Sequence, residues 1–415
     1  MKLEEKIPRR AEVEDLLARC VQCGFCNATC PTYLATGLEL EGPRGRIGLI
    51  KSMVEGHAVS EKTQHHLDRC LTCLNCETSC PSGVEYRRII DIGRAWMKDC
   101  IPRGIGSHLP RVMLSKMMAH PIGLGLGFRV GRWFKYLLPS AFRPYLHPPR
   151  RLNLALSPAT ETLRTVLLLQ GCVQRHLAPA INQALSDVLV KLGYRVVEIR
   201  HADCCGAVGH HLGDSETAKA QAKKTMRALH PYLLDPTLQG DQAPIIVMTS
   251  SACGLMLKDF EALYQEDLEM AEDAKRIHQC ALDPLELIER HVSAIRHRID
   301  HAGIKGLSLK IHEPCTLQHG LKLKGRLAAL FSSLGFEVSQ GVAPHLCCGA
   351  GGVYSLMNPE MAQSLREEKR RHLGLEGQGD AIALTSNIGC MLHLDSKGEV
   401  VHWIEFLQGL FKEGR

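Results

Sequence analysis

The residues that could do chemistry in this chain are its 18 cysteines: eight lie between Cys20 and Cys80, nine between Cys172 and Cys390, and Cys100 stands between the two sets. The first set reads CVQCGFCNATCP from Cys20 and, 50 residues later, CLTCLNCETSCP from Cys70. Two copies of C-x2-C-x2-C-x3-C-P form an internal repeat of the bacterial two-cluster ferredoxin kind, in which three thiolates of a tight loop bind three corners of a cubane and the fourth reaches the other cluster. This predicts one [4Fe-4S] centre on Cys20, Cys23, Cys26 and Cys80, and a second on Cys70, Cys73, Cys76 and Cys30. Structural zinc is the alternative for short cysteine spacings. Zinc sites, however, pair two C-x2-C units across a gap, whereas each run here carries four cysteines closing on Pro31 or Pro81. Between the runs, LEGPRGRIGLIKSMVEG and HLDRC read as short helices around a Gly-Pro turn, with Arg44 and Arg46 available to balance cluster charge.

The second set repeats as well. Cys172 aligns with Cys315, and at the same offset of 143 residues Cys204-Cys205 falls on Cys347-Cys348. RTVLLLQGC, YRVVEI and PIIVMTS read as buried strands separated by the helical stretches APAINQALSDVLVKLG and ETAKAQAKKTMRAL. SLKIHEPC, FEVSQ and AIALTSN repeat the order around LKGRLAALFSSLG and EMAQSLREEKRRHL. Short β-branched strands alternating with amphipathic helices predict parallel sheets. Each cysteine group then follows the C-terminal end of a strand, the edge where open α/β sheets bind ligands. Three loops per copy converge to bring four thiols together, Cys172, Cys204, Cys205 and Cys253 in one half, and Cys315, Cys347, Cys348 and Cys390 in the other. These eight are candidate ligands of further iron–sulfur or zinc centres, or redox thiols of a thiol–disulfide relay. Gly206, Gly349, Gly351 and Gly352 are expected to let backbone approach a bulky inorganic group. Cys100 and Cys280 have no counterpart and read as core or surface thiols.

Between the two sets, residues 101–160 hold nine Lys or Arg (Arg103, Arg111, Lys116, Arg129, Arg132, Lys135, Arg143, Arg150, Arg151) and no Asp or Glu. The chain as a whole is +6, so the remainder is −3, and a charge this localised does not suit nucleic acid. Interleaved Trp133, Phe134 and Phe128 make the segment a basic amphipathic one, fit for an anionic membrane surface or for packing as a linker on an acidic partner or the neighbouring domain. GLGLG at 123–127 follows no strand and is no dinucleotide fingerprint. No P-loop, nucleophile elbow or HExxH pattern occurs, and the pairs His65-His66 and His210-His211 have no evident carboxylate partner. The N-terminus has no secretory pattern and no apolar run approaches the roughly 18 residues of a membrane span, so a cytoplasmic, reducing setting is expected. Several one-electron centres without a hydride acceptor read as an electron wire that needs an electron-producing partner.

The segments CVQCGFCNATCPTYLATGLELEGPRGRIGLIK, HLDRCLTCLNCETSCPSGVEY, ADCCGAVGHHL, CTLQHGLKLKG, HLCCGAGGVYSL and TSNIGC resemble the iron–sulfur subunits of bacterial glycolate oxidase (glycolate dehydrogenase), within the Cys-Cys-Gly repeat, heterodisulfide-reductase-like family. The resemblance implies FAD-containing partner subunits that oxidise glycolate to glyoxylate. It gives this chain electron transfer to quinone or another membrane acceptor, and a peripheral position on the cytoplasmic face of the inner membrane. Related Cys-Cys-Gly proteins serve disulfide reduction and D-lactate or glycerol-3-phosphate oxidation, which are the alternatives. The family's fuller motif ends in C-x2-C. Here Ser250 and Asn387 occupy the first of those positions, leaving four thiols per repeat. The expected architecture is an α+β ferredoxin-like, mostly helical two-cluster module (1–100), a basic linker (101–160), and a duplicated α/β module with parallel sheets carrying the Cys-Cys-Gly loops (161–300 and 301–415).

Overall fold

The computed structural model describes residues 10–134, 137, 164–202, 204–299, 307–376 and 381–411. The N-terminal part is built from α1 (Arg10–Ala18), α2 (Pro31–Thr36), α3 (Pro43–Val54), α4 (Glu61–Asp68), α5 (Asn75–Thr78) and α6 (Tyr86–Cys100). Prolines open α2 and α3, where a missing N–H is harmless. A Ser60/Thr63 capping box opens α4. Val13, Leu16, Ile47, Ile50, Met53, Ile89, Ile90 and Trp96 bring α1, α3 and α6 together around a buried core. The expected helical character is observed, but among the described residues this part has no strand.

The basic segment continues as α7 (Ile105–Ala119) and α8 (Pro121–Trp133), and the 123–127 glycines lie within α8. Arg103 and Arg111 do not face outward. Both ion-pair with Asp68, Arg111 at 3.1 Å, so part of the charge read as a surface feature is internal. Arg129 is exposed, and Leu109, Met113, Leu126, Val130, Trp133 and Phe134 are exposed apolar neighbours. Lys135, Arg143, Arg150 and Arg151 lie outside the described residues. No described helix is long and apolar enough to cross a membrane.

The C-terminal part is a repeated α/β unit. The first copy runs β1 (Thr165–Leu169), α9 (Gln174–Leu177), α10 (Pro179–Lys191), β2 (Arg195–Ile199), α11 (Ala207–His211), α12 (Ser215–Leu234), β3 (Ile245–Met248), α13 (Ser251–Tyr264), α14 (Ala271–Cys280), β4 (Ala281–Leu282), α15 (Pro284–Ile288) and α16 (Val292–Arg298). The second runs β5 (Ser308–His312), α17 (Arg326–Ser333), β6 (Glu337–Ser339), α18 (Tyr354–Met357), α19 (Pro359–Leu373), β7 (Ile382–Thr385), α20 (Ile388–Leu394), β8 (Val400–His402) and α21 (Trp403–Leu410). The sheets have the same parallel order, β2-β1-β3-β4 and β6-β5-β7-β8. Thr165 pairs with Arg195 as Ser308 pairs with Glu337.

The copies share one core. Val166, Leu168 and Val247 of the first sheet pack in the same cluster as Leu309, Ile311 and Leu384 of the second, closed by Phe331, Trp403 and Leu407. Their cysteine-bearing edges meet: Ser251 N donates to Ser386 O at 3.1 Å, and His402 Nε2 lies 3.1 Å from Thr249 O. That convergence places all the Cys-Cys-Gly loops at one locus.

Candidate metal centres

Each C-x2-C-x2-C loop is bent by left-handed residues at matching positions: Gln22 and Gly24 in the first, Thr72 and Leu74 in the second. For Gln, Thr and Leu this conformation is strained, and such strain gathers where a loop must wrap a ligand. Cys20, Cys23, Cys26 and Cys80 line one small void together with Arg44, while Cys30, Cys70, Cys73 and Cys76 line a second with Arg46; Cys76 and Tyr86 border both. The fourth cysteine of each run therefore lies with the first three of the other. Burial, then Cys20, pushes the Cys26 thiol up to about 11, and burial drives Cys76 well above its ordinary value. Thiols so crowded ionise together only around a cation. Val84 N donates to Cys80 Sγ at 3.5 Å, Thr72 N to Cys70 Sγ at 3.4 Å, and the Tyr86 hydroxyl to Cys70 Sγ at 3.6 Å.

Arg46 is fully buried, 2.9 Å from Glu41 Oε2, and its guanidinium also donates to Thr32 Oγ1 and His66 O. Arg44 pairs with Glu39 at 2.6 Å. Both arginines thus brace the turn between α2 and α3 beside the thiols, beyond balancing charge.

In the α/β part each cysteine sits past a strand end. Cys172 follows β1, Cys204-Cys205 follows β2, and Cys253 lies in the first turn of α13 after β3; Cys315, Cys347-Cys348 and Cys390 repeat this. Within each copy the thiols form a chain of contacts, 172–204–205–253 and 315–347–348–390. Cys348 Sγ and Cys390 Sγ are 3.1 Å apart. The contact from Cys315 lowers the Cys347 thiol, but its contact to Cys348 and burial push it up to about 12. Gly206 N and Gly349 N donate to Cys204 Sγ and Cys347 Sγ, both at 3.4 Å.

One cavity of about 450 Å³ is lined by all eight repeat thiols together with Cys70 and Cys73 of the second ferredoxin-type loop. Cys73 packs against Cys315 and Cys347, and its thiol contacts that of Cys315. The loop is seated by Asn75 Nδ2 on His345 O (3.1 Å), Thr78 Oγ1 with His319 Nδ1 (2.9 Å), and the Tyr354 hydroxyl on Arg69 O (3.2 Å). On the first copy, Arg87 grips Asp259, with Nη1 to Oδ1 at 2.7 Å. The structure thus gathers the cysteines singled out by spacing; Cys100 and Cys280 lie apart, half-buried against separate cores.

Several sequence expectations change. The side of Gly206 and Gly349 that a Cβ would occupy faces a helix. Both are left-handed (φ +84° and +89°), and a Cβ would strike Ala218 O and Ala362 O, so they let α12 and α19 approach the Cys-Cys turn. Ser250 and Asn387 stand at the N-caps of α13 and α20, Asn387 Oδ1 accepting from Gly389 N at 2.8 Å. The histidine pairs do have carboxylates: His66 Nδ1 is 2.8 Å from Glu41 Oε1, and His210 Nε2 is 3.0 Å from Asp91 Oδ2. Those partners come from 25 and 119 residues away, which no local pattern reveals. Burial opposes the His210 charge, but Asp91 raises His210 above its usual range, whereas burial lowers His211 to about 3. Sequence reasoning also passed over His312 and Lys369. The first stands three residues before Cys315 in HEPC, a spacing that could have drawn attention to it.

A 4Fe-4S dicluster domain matches residues 16–84, and a cysteine-rich domain matches residues 166–258 and 309–395. The chain is 39% identical over 98% of its length, and 97% of the relative's, to the glycolate oxidase iron-sulfur subunit of Escherichia coli K12. It is 25% identical, over 94% of this chain and 91% of the relative, to the probable glycolate oxidase iron-sulfur subunit of Bacillus subtilis. Lactate utilization protein A of Geobacillus kaustophilus is 25% identical over 52% of this chain and 84% of its own.

Proposed function

We propose, since this chain belongs to the family of glycolate oxidase iron–sulfur subunits, that it accepts electrons taken from glycolate by FAD on partner subunits and delivers them singly to quinone at the membrane. The observation that carries the reading is the contact of Cys73 with Cys315, which joins the ferredoxin-type loops to the cavity lined by the eight repeat thiols. Cys20, Cys23, Cys26 and Cys80 would hold one [4Fe-4S] cluster, Cys70, Cys73, Cys76 and Cys30 the second, and the repeat thiols further metal centres. Bound there, the two cubanes supply one-electron carriers within a single protein interior.

The chain's own residues set the conditions for that transfer. Backbone N–H groups of Thr72, Val84, Gly206 and Gly349 stabilise negative charge on sulfur. Tyr86 donates a hydroxyl hydrogen bond from within the core while excluding water. Arg46 adds a buried positive charge near Cys30 and Cys70. The exposed apolar and basic side of α7 and α8, with Trp133, Phe134 and Arg129, would dock the subunit peripherally on the cytoplasmic face of the membrane.

The test is the assembled complex carrying Cys76→Ser. Glycolate should still bleach the flavin of the partner subunits, while quinone reduction falls to background. Quinone reduction at the wild-type rate would overturn the proposal.

A further inference from the structure

The two Cys-Cys-Gly repeats are not equivalent. β5 ends on His312, whose counterpart 143 residues earlier, at the end of β1, is Leu169. His312 is 1% exposed, yet neither ring nitrogen has a hydrogen-bond partner. A buried imidazole with both nitrogens unsatisfied is costly in an ordinary core, where almost every such group is paired. One of its nitrogens lies within 4.8 Å of both Cys348 Sγ and Cys390 Sγ, which are themselves mutually close and buried. The other set of three among the described residues, Asp91 with His210 and His211, includes none of the first repeat's thiols.

We propose that the second repeat is a zinc site in which His312 supplies a nitrogen ligand beside the thiolates of Cys348 and Cys390. Cys347, whose thiol contacts both Cys315 and Cys348 and lies outside that set of three, would close on the ion as the fourth donor. The inference rests on reading the repeats as metal centres and names what the second one holds. Three arguments favour one ion over a cluster. A cubane spreads its terminal sulfurs one to each iron, whereas a single ion draws its donors together, as here. Mixed nitrogen and thiolate donors in a closed, buried shell suit tetrahedral zinc. Charge also balances: three thiolates and one divalent ion leave −1, and the buried ammonium of Lys369 lies within electrostatic range of these thiols while donating to Ala343 O and Pro344 O. Zinc does not change oxidation state, so this centre ties the β5, β6 and β7 loops together beneath Cys73 and carries no electron. Cys315 remains free of it, against Cys73.

Zinc and iron are measured on the anaerobically purified full chain, with zinc-edge X-ray absorption on the wild type and on His312→Leu, which installs the residue found in the first repeat. The wild type should hold one zinc with three sulfur neighbours at about 2.3 Å and one nitrogen at about 2.0–2.1 Å. In His312→Leu, zinc content should fall at least about tenfold with the cubane EPR signals unchanged. Zinc bound by sulfur alone, or retained in full by His312→Leu, overturns the assignment but leaves the electron-transfer reading intact. Wild-type protein with its cubane iron and no zinc overturns it equally. Protein lacking both zinc and iron overturns both readings. If His312→Leu does not fold, the wild-type absorption spectrum decides alone.

Discussion

Removing one oxygen atom from the core should move a reduction potential. Tyr86 is 4% exposed and donates to Cys70 Sγ at 3.6 Å, and burial holds its phenol protonated far above its usual range. Tyr86→Phe deletes that donor and little else. A hydrogen bond to a charged acceptor is worth roughly 1.5–3 kcal/mol. Sulfur is a weaker acceptor and only the excess in the reduced state counts, so about 1 kcal/mol remains. At about 59 mV per tenfold change, or per 1.4 kcal/mol, for one electron, the second cluster should become harder to reduce by roughly 40 mV. The sign follows from charge: the reduced cluster carries more negative charge on its sulfurs and loses more when the donor goes. The assay is an anaerobic potentiometric titration followed by EPR on wild type and variant. The centre on Cys20, Cys23, Cys26 and Cys80 should shift by less, since the hydroxyl donates to Cys70. Unmoved midpoints, or an upward shift, would refute the reasoning.

Other perturbations test the packing around the centres. Asp91→Asn should destabilise the protein by about 2 kcal/mol through loss of a charged hydrogen bond. Burial opposes the Asp91 charge but His210 holds it below its ordinary 3.8, so its contribution is present above that value and lost as pH falls further. His210 is raised above 6.5, so its share is full below 6.5 and lost as pH rises through the raised value. Denaturation midpoints of wild type and variant should therefore differ most between about pH 4 and 6.5 and converge as pH rises past the raised value of His210; a pH-independent gap would contradict the pairing. Gly349→Ala puts a Cβ 2.8 Å from Ala362 O at φ +89° and should lower stability by about 2–3 kcal/mol in a denaturant titration, against little effect for Gly352→Ala, which has open space, beyond its backbone strain. Trp133→Ser combined with Arg129→Glu should weaken binding of the chain to vesicles containing anionic lipid, while co-sedimentation equal to wild type would remove α8 from the membrane contact.

Cysteine spacing told most where the chemistry requires local geometry. Three thiols in a tight loop, a Pro after the fourth and a Cys-Cys turn after a strand are short-range patterns, and they carried the repeat, the parallel sheets and the gathering of the thiols. What escaped were pairings made by tertiary packing. His312 reads as one more strand residue until Cys348 and Cys390, 36 and 78 positions later, fold back on it. Asp91 looks like a solvent-facing helix residue until α11 brings His210 against it. The glycines after Cys-Cys were legible as special but not for what, since Ala218 and Ala362 lie in helices that follow. Charge counting left the basic segment open between a membrane surface and packing on the neighbouring domain, and for Arg103 and Arg111 the second holds, because Asp68 lies outside the segment in sequence and beside them in space.

The central claim is that electrons leave glycolate through this chain. The direct measurement is rapid-freeze EPR of the complex with its flavin-containing partners, mixed anaerobically with glycolate and, in parallel, with D-lactate and glycerol 3-phosphate. Reduced-cluster signals that grow as the flavin is reoxidised, with glycolate foremost, are the predicted result. Flavin reduced by glycolate beside clusters that stay oxidised would contradict it.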